Sequence, residues 1–196
     1  MPRTIDLPAL KTRSTNAVNH AIARYERAVI AQLHYALVRW IAKMTAVEIH
    51  AIWERYVEGH LVAALNHNAR HFLVENSIVG VSRVSSGLAS YVVRGGGRFF
   101  DFRSMSDLMQ KGDRWLGAAA NPFRLLSADD RAYIDALAAI RNCSVHKSDA
   151  ALHAYRRVLR TQYGIRSAPE PDEFLNAQDR RGTSPGRYQS RLHGLA

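Results

Sequence analysis

Three residues near the start of the last third of the chain have side chains suited to chemistry at a phosphate ester. They are Arg141, Asn142 and His146. A histidine can accept or release a proton near neutral pH. An arginine can hold a phosphate through two parallel hydrogen bonds and can stabilise the negative charge that develops on it during a reaction. An asparagine can orient either of the other two groups. We therefore predict a catalytic site at these three residues.

The distance along the chain between Arg141 and His146 carries little weight by itself. Other pairs in this chain have similar spacing, namely Arg13 and His20, Arg27 and His34, Arg55 and His60, and Arg187 and His193. Only at Arg141 does an apolar helical pattern lead to the arginine, with Asn142 directly after it. Residues five apart differ by about 140° around a regular helix. We therefore expect a helix break near residues 143–144 that turns both side chains into one electropositive cleft.

A purely structural interpretation of the same residues also exists. Arg141 could bond to the last carbonyl groups of its helix, and Asn142 could end the helix. His146 would then be an ordinary surface histidine near a turn. Under this interpretation the three residues have no catalytic role.

The helical pattern that ends at this motif, residues 134–146, resembles the signature helix of the HEPN superfamily, and its RiboL-PSP-HEPN type in particular. In that signature an arginine and a polar residue are followed, after four to six intervening positions, by a histidine. More loosely, residues 51–56 are similar to an earlier helix of the family, and residues 121–123 are similar to the segment ahead of the signature helix.

The resemblance implies a metal-independent endoribonuclease that uses no cofactor. In this activity the ribose 2′-hydroxyl attacks the adjacent phosphate and leaves a cyclic phosphate, and the catalytic residues would be Arg141, Asn142 and His146. It also implies a homodimer with a composite active site, in which the signature helices of two protomers face each other. A toxin or defence effector, with an antitoxin as a possible partner, is the expected biological role.

Composition agrees with a nucleic-acid partner without requiring one. The chain has 27 Lys and Arg against 17 Asp and Glu, a formal charge of +10, which attracts polyanions such as RNA. Cys143 is the single cysteine, so neither an intrachain disulfide nor a cysteine zinc cluster can form, and a reducing compartment is expected. No stretch resembles a signal peptide or a membrane span. We therefore expect a cytoplasmic protein that does not enter membranes.

The sequence leaves two alternative functions open beside the nuclease. A catalytically inactive HEPN-like module would bind RNA or nucleotides, and a helical partner-binding protein would pair with a molecule such as an antitoxin. His67 and His71 have the spacing of a helical metal site but lack an acidic partner motif, so no metal is expected. Trp40, Trp53 and Trp115 fall in apolar helical patterns and are predicted core or interface anchors.

The elements that must position the site are predicted to be helices. Apolar residues recur at helical spacing over residues 18–44 and again over residues 45–72. Three glycines among β-favouring residues at 91–102 indicate a small hairpin or an ordered loop. The predicted class is an all-α bundle of about five helices, with a hairpin-like insertion near residues 91–102.

The second half of the chain shows clear helix boundaries. Ser104 or Ser106 can cap a helix that ends at Leu116, and Asn121-Pro122 marks a break. A helix opens at Ser127, with Tyr133, Ile134, Leu137 and Ile140 predicted to face inward. Ser148 or Asp149 can cap a further helix over residues 150–162, which Gly164 ends. We expect a helical domain over residues 1–164 and a basic, partly mobile tail, dispensable for folding, over residues 165–196.

Overall fold

The structure, a computed structural model, describes residues 5–98 and 100–177 and is all-α over these residues, as predicted. Five helices are 12 residues or longer, which matches the expected number of main helices. The helices in chain order are α1 (Leu7–Ile30), α2 (Tyr35–His67), α3 (Arg70–Glu75), α4 (Ser86–Val93), α5 (Met105–Leu116), α6 (Ala128–His146), α7 (Asp149–Tyr163) and α8 (Pro171–Asn176), with 3-10 turns at Ala118–Ala120 and Pro122–Leu125. None of these helices is long and apolar enough to cross a membrane.

The chain forms two compact units, each made of two separate segments. Among the described residues, unit 1 contains 5–15 and 52–131, and unit 2 contains 16–51 and 132–177. Helices α1, α2 and α6 therefore contribute residues to both units. All three candidate catalytic residues belong to unit 2.

Unit 2 is built on apolar side chains from α1, α2, α6, α7 and α8. Its buried members include Tyr25, Ile49, Leu137, Ile140, Tyr155, Leu159, Phe174 and Leu175, with alanines between them. Because only two residues join α6 to α7, the two helices must turn back on each other. The side-chain amide of Gln162, near the end of α7, donates to the carbonyl of Ala132 in α6 at 3.0 Å. The pair is therefore antiparallel, and the end of α6 lies at the closed end of this helical hairpin.

The core of unit 2 does not end at Gly164, so the predicted domain boundary was wrong. Helix α8 follows it, and Phe174 and Leu175 are fully buried in the core of unit 2. The Tyr25 hydroxyl donates to Asn176 Oδ1 at 2.9 Å. A segment rich in proline and acids packs because its two adjacent apolar side chains join the core of unit 2, where Phe174 packs edge-on against Tyr155 of α7. The rest of the predicted tail, residues 178–196, lies outside the described residues.

Unit 1 includes a buried polar centre at Asn121. Its side chain donates to the Met109 carbonyl at 2.8 Å and to Asp113 Oδ1 at 2.9 Å, and it accepts the backbone N–H of Phe123 at 3.1 Å. The predicted break at Asn121 is thus a hydrogen-bonded turn. Gly112 makes room for it, since a Cβ there would stand 2.6 Å from the Asn121 amide nitrogen.

The first two predicted helices have a different boundary in the structure. The break lies at residues 31–34 instead of 44–45. Gln32 is left-handed with φ 51°, and the backbone N–H groups of Gln32 and Leu33 donate to the carbonyls of Val29 and Ala28. This is a Schellman ending, which usually places glycine where Gln32 stands.

The predicted hairpin at residues 91–102 was also wrong, and the alternative of an ordered loop is correct. Residues 91–93 form the last turn of α4, and no strand occurs in residues 5–98 or 100–177. Gly95 and Gly96 have φ of 61° and 77°, so they turn the chain after α4 and do not join two strands.

Helix ends marked by local side-chain caps were predicted correctly. Ser104 accepts the backbone N–H of Asp107 at 3.2 Å at the start of α5, and Ser148 accepts that of Ala151 at 3.3 Å at the start of α7. Gly164 ends α7 in the left-handed conformation, with φ 67°. These caps confirm the predicted limits of α5 and α7.

Candidate active site

Helix α6 carries the candidate residues in its last turns. Ser127 caps its start by accepting the backbone N–H of Asp130 at 3.0 Å, and acids in the first turn suit the helix dipole. Leu137 and Ile140 are buried as predicted, which holds the helix against the core of unit 2. Tyr133 was predicted to face inward, but its side chain is exposed.

The predicted helix break near residues 143–144 is absent. Helix α6 runs without interruption to His146, and the chain leaves it at Lys147, which is left-handed with φ 48°. The expected break assumed that the side chains of residues 141 and 146, which are about 140° apart around the helix, point straight out from it. An arginine side chain is long enough to bend along the helix surface, so Arg141 reaches a residue five positions ahead on an intact helix.

The guanidinium of Arg141 connects the other two residues. Its Nη1 donates to Asn142 Oδ1 at 2.7 Å and lies 3.0 Å from Nε2 of His146. A guanidinium only donates hydrogen bonds, so a hydrogen bond between these two atoms requires Nε2 of His146 to act as the acceptor. The two hydrogens of Nη1 are both used, one for each neighbour.

The remaining donors of Arg141 have no partner in the described part of the chain. Neither Nε nor Nη2 makes a hydrogen bond there, and no carboxylate forms an ion pair with the guanidinium. The side chains of Arg141 and Asn142 are partly buried, and His146 is exposed. The arrangement offers an uncompensated positive charge and three free N–H groups next to an imidazole ring, which together suit an anionic ligand.

A groove of about 440 Å³ lies on the other side of the last turns of α6, where Cys143, Ser144 and Lys147 line it. Residues 141, 142 and 146 point away from this groove by helical geometry. Burial raises the pKa of the Cys143 thiol, with a smaller contribution from Glu170. A thiol with a raised pKa is a poor nucleophile, so the groove does not add a cysteine to the candidate site.

The other histidines are arranged differently from the sequence pattern. His67 is the last residue of α2 and His71 belongs to α3, so the two do not share one continuous helix. In the described ranges no group of three His, Cys, Asp or Glu side chains is placed to hold a metal ion. His60 packs edge-on to Tyr56 and also contacts Phe123, and burial lowers its pKa.

The tryptophans occupy three different environments. Trp115 is buried in unit 1, which agrees with a core anchor. Trp53 packs against Tyr56 and Phe123 in the same unit. Trp40 is exposed on α2, so it is not a core anchor, and its role as an interface anchor stays a prediction.

The chain was compared with protein-family models, with curated proteins and with solved structures. No match was found in any of the three. The chemistry open to Arg141, Asn142 and His146 therefore rests on their own geometry.

Proposed function

We propose that the protein is a metal-independent endoribonuclease of the HEPN type, with Arg141, Asn142 and His146 as catalytic residues. The observation that carries this proposal is the single guanidinium nitrogen that donates to Asn142 and also lies 3.0 Å from Nε2 of His146. It joins a phosphate-binding group to a proton acceptor within hydrogen-bond distance. RNA contains both partners that this pair needs, a phosphate and a neighbouring hydroxyl.

The reaction begins when a phosphate of RNA draws Arg141 away from His146. Nε2 then becomes free to accept the proton of the ribose 2′-hydroxyl. The 2′-oxygen attacks phosphorus, the bond to the 5′-oxygen breaks, and the products are a 2′,3′-cyclic phosphate and a 5′-hydroxyl. Arg141 stabilises the charge on the non-bridging oxygens, and Asn142 holds the guanidinium in place.

The leaving 5′-oxygen needs a proton from a general acid, and each chain offers one such histidine at this site. A homodimer with a composite active site supplies the second one. Exposed apolar side chains of unit 2 support this part of the proposal. They include Leu37, Trp40 and Met44 along one face of α2, and Val145 next to His146. Apolar surface of this kind is usually covered by a partner.

The proposal extends to the setting in which the enzyme works. A ribonuclease without a metal requirement in a cytoplasmic protein suits a toxin or defence effector, and an antitoxin would then be its inhibitor. The formal charge of +10 favours acidic partners of either kind, RNA or protein.

Cleavage of RNA in the presence of a chelator tests the proposal. The wild-type protein should cut single-stranded RNA and leave cyclic phosphate ends, whereas Arg141→Ala and His146→Ala should each lose roughly 100-fold or more in kcat/KM. His20→Ala and Arg70→Ala are matched controls, because both side chains are exposed and lie outside the site. Equal cleavage by all five proteins, or none by the wild type, would overturn the assignment.

A second candidate function is a catalytically inactive module that binds RNA or nucleotides. The contact between Arg141 and Nε2 favours it, because the guanidinium covers the nitrogen that must act as the base. This module would bind RNA with a steep dependence on salt and would yield no cleaved product. The same assay therefore separates the two functions.

A further inference from the structure

Helix α7 carries a row of basic side chains on one face. His153, Arg156, Arg157 and Arg160 are spaced at i, i+3, i+4 and i+7, which places them within about 100° of one another around the helix. All four are exposed. The opposite face is buried through Tyr155 and Leu159. The row is therefore fixed toward solvent by the packing of α7 in unit 2.

A surface groove of about 590 Å³ runs along this face and is lined by the four basic residues together with small ones. The small side chains of Ala150 and Ala154 leave space between the longer basic side chains. The lining includes no acidic residue, and the described residues provide no ion pair to any of the three arginines. The groove is thus an uncompensated basic surface.

This arrangement is unfavourable for the isolated helix. Like charges at i, i+3 and i, i+4 repel each other by a few tenths of a kcal/mol per pair. Arg160 stands in this relation to both Arg156 and Arg157. Arg39, elsewhere in unit 2, is paired with Asp172 and Glu173, each at 3.0 Å. An anionic ligand would supply negative charge to compensate the arginines of α7.

We propose that this face of α7 binds the phosphate backbone of single-stranded RNA and leads the strand to the site at the end of α6. The second part rests on the proposed nuclease function. Arginine favours phosphate because its guanidinium bonds two oxygens at once. The row from His153 to Arg160 is about 10 Å long, so it suits a linear polyanion better than a single anion. Its lack of large apolar side chains argues against insertion into a membrane.

The direction in which bound RNA would run follows from the antiparallel pairing of α6 and α7. Since α6 and α7 are antiparallel and joined by two residues, His153 is the end of the row nearest to His146 along the hairpin axis. It stands about 6 Å along the helix axis from the start of α7. RNA held by the arginines can therefore continue past His153 toward the last turn of α6.

The test compares two variants that remove the same charge. The first combines Arg156→Gln, Arg157→Gln and Arg160→Gln. The control combines Arg55→Gln, Arg70→Gln and Arg83→Gln, which are exposed arginines of unit 1. Binding of a labelled single-stranded oligoribonucleotide is measured by fluorescence anisotropy at several salt concentrations, in a His146→Ala background so that the RNA stays intact.

We expect the α7 variant to bind at least about 10-fold more weakly and to lower the slope of log K against log salt by about 2, since each lost contact with a single strand removes roughly 0.7. The control should change the slope by less than half as much. Equal losses in both variants, or an unchanged slope in the α7 variant, would overturn the proposal. So would a variant that loses binding to anionic vesicles or to an acidic peptide while it keeps binding to RNA.

Cleavage kinetics give an independent result. In the background with wild-type His146, the α7 variant should raise KM for long RNA and leave kcat unchanged, and it should cut a dinucleoside monophosphate as fast as the wild type. A slower cut of the dinucleotide would contradict a binding role for α7. If the wild-type protein cuts no RNA, the nuclease function fails while the anisotropy measurement still decides whether α7 binds RNA.

Discussion

Nη1 of Arg141 lies 3.0 Å from Nε2 of His146, five residues further along an unbroken helix, and also donates to Asn142. This contact covers the imidazole nitrogen. In the proposed reaction, Arg141 must move from His146 to the phosphate before Nε2 can act. The strength with which its neighbours hold Arg141 therefore affects the rate.

Asn142 provides a direct test of how Arg141 is held. Asn142→Ala removes one hydrogen bond from the charged guanidinium and should lower kcat/KM by about 10-fold or more, since a hydrogen bond to a charged group contributes about 1.5–3 kcal/mol. Asn142→Asp should lower it further, because a carboxylate pairs with Arg141 and keeps it from the phosphate. RNA cleavage rates of the two variants provide the measurement. An Asp variant as active as the Ala variant would contradict this role.

The burial of α8 predicts that residues past Gly164 are required for folding. Phe174 is fully buried and packs against Tyr155 and Tyr163. Phe174→Ala should lower the free energy of unfolding by about 3–5 kcal/mol, through lost burial and the cavity left behind. Leu125→Ala is the control, since Leu125 is 88% exposed and should change stability by less than about 0.5 kcal/mol. Urea denaturation measures both. Similar stabilities for the two variants would show that α8 does not contribute to the core.

Two helical glycines differ in what surrounds them and should respond in opposite directions to the same substitution. Gly112→Ala places a Cβ 2.6–2.8 Å from the Asn121 side chain, which is buried and holds three hydrogen bonds. We expect a loss of about 1–3 kcal/mol in stability. Gly87→Ala meets no atom within 4 Å and should add about 0.5–1 kcal/mol. Thermal unfolding of both variants checks the pair, and a neutral Gly112→Ala would mean that Asn121 can move.

Asp113 should make stability depend on pH in the acid range. Hydrogen bonds from Arg124, at 2.8 and 2.6 Å, outweigh partial burial and lower the pKa of Asp113. A lowered pKa in the folded state means that the ionised group stabilises the protein above the ordinary pKa of about 4, and that this stabilisation is lost as the pH falls through the folded value. The difference in unfolding free energy between wild type and Asp113→Asn should therefore shrink below about pH 4. A difference that stays constant down to pH 2 would exclude this contribution.

The features predicted correctly from sequence depend on neighbouring residues. Ser104 and Ser148 cap helices three residues ahead, and Gly164 ends α7 through its own backbone, so a short window contains the cause. The all-α class follows from apolar periodicity in the same way. The Schellman ending at Gln32 escaped prediction because glutamine gives no signal for a left-handed residue.

The missed features depend on distant partners or on side-chain length. The burial of Phe174 is caused by Tyr155 and by residues of α1 and α2, which no local pattern contains. At the candidate site, the sequence identified the three candidate residues, but the helix break was inferred only from the directions in which their Cβ atoms point. The length of the Arg141 side chain made that break unnecessary. The hairpin was predicted from β-favouring residues on both sides of the glycines. In the structure, two of these residues, Val92 and Val93, belong to the last turn of α4.

The division of unit 2 into residues 16–51 and 132–177 has a consequence for how the protein is made. The first segment leaves the ribosome on the order of ten seconds before the second, at usual rates of synthesis. During that interval its apolar side chains have no partners from α6, α7 and α8, so they stay exposed on the nascent chain. Unit 1 can form earlier, since both of its segments, 5–15 and 52–131, precede residue 132. If the protein is a ribonuclease, this order delays activity until the chain has passed α8, which protects the ribosome that is translating it.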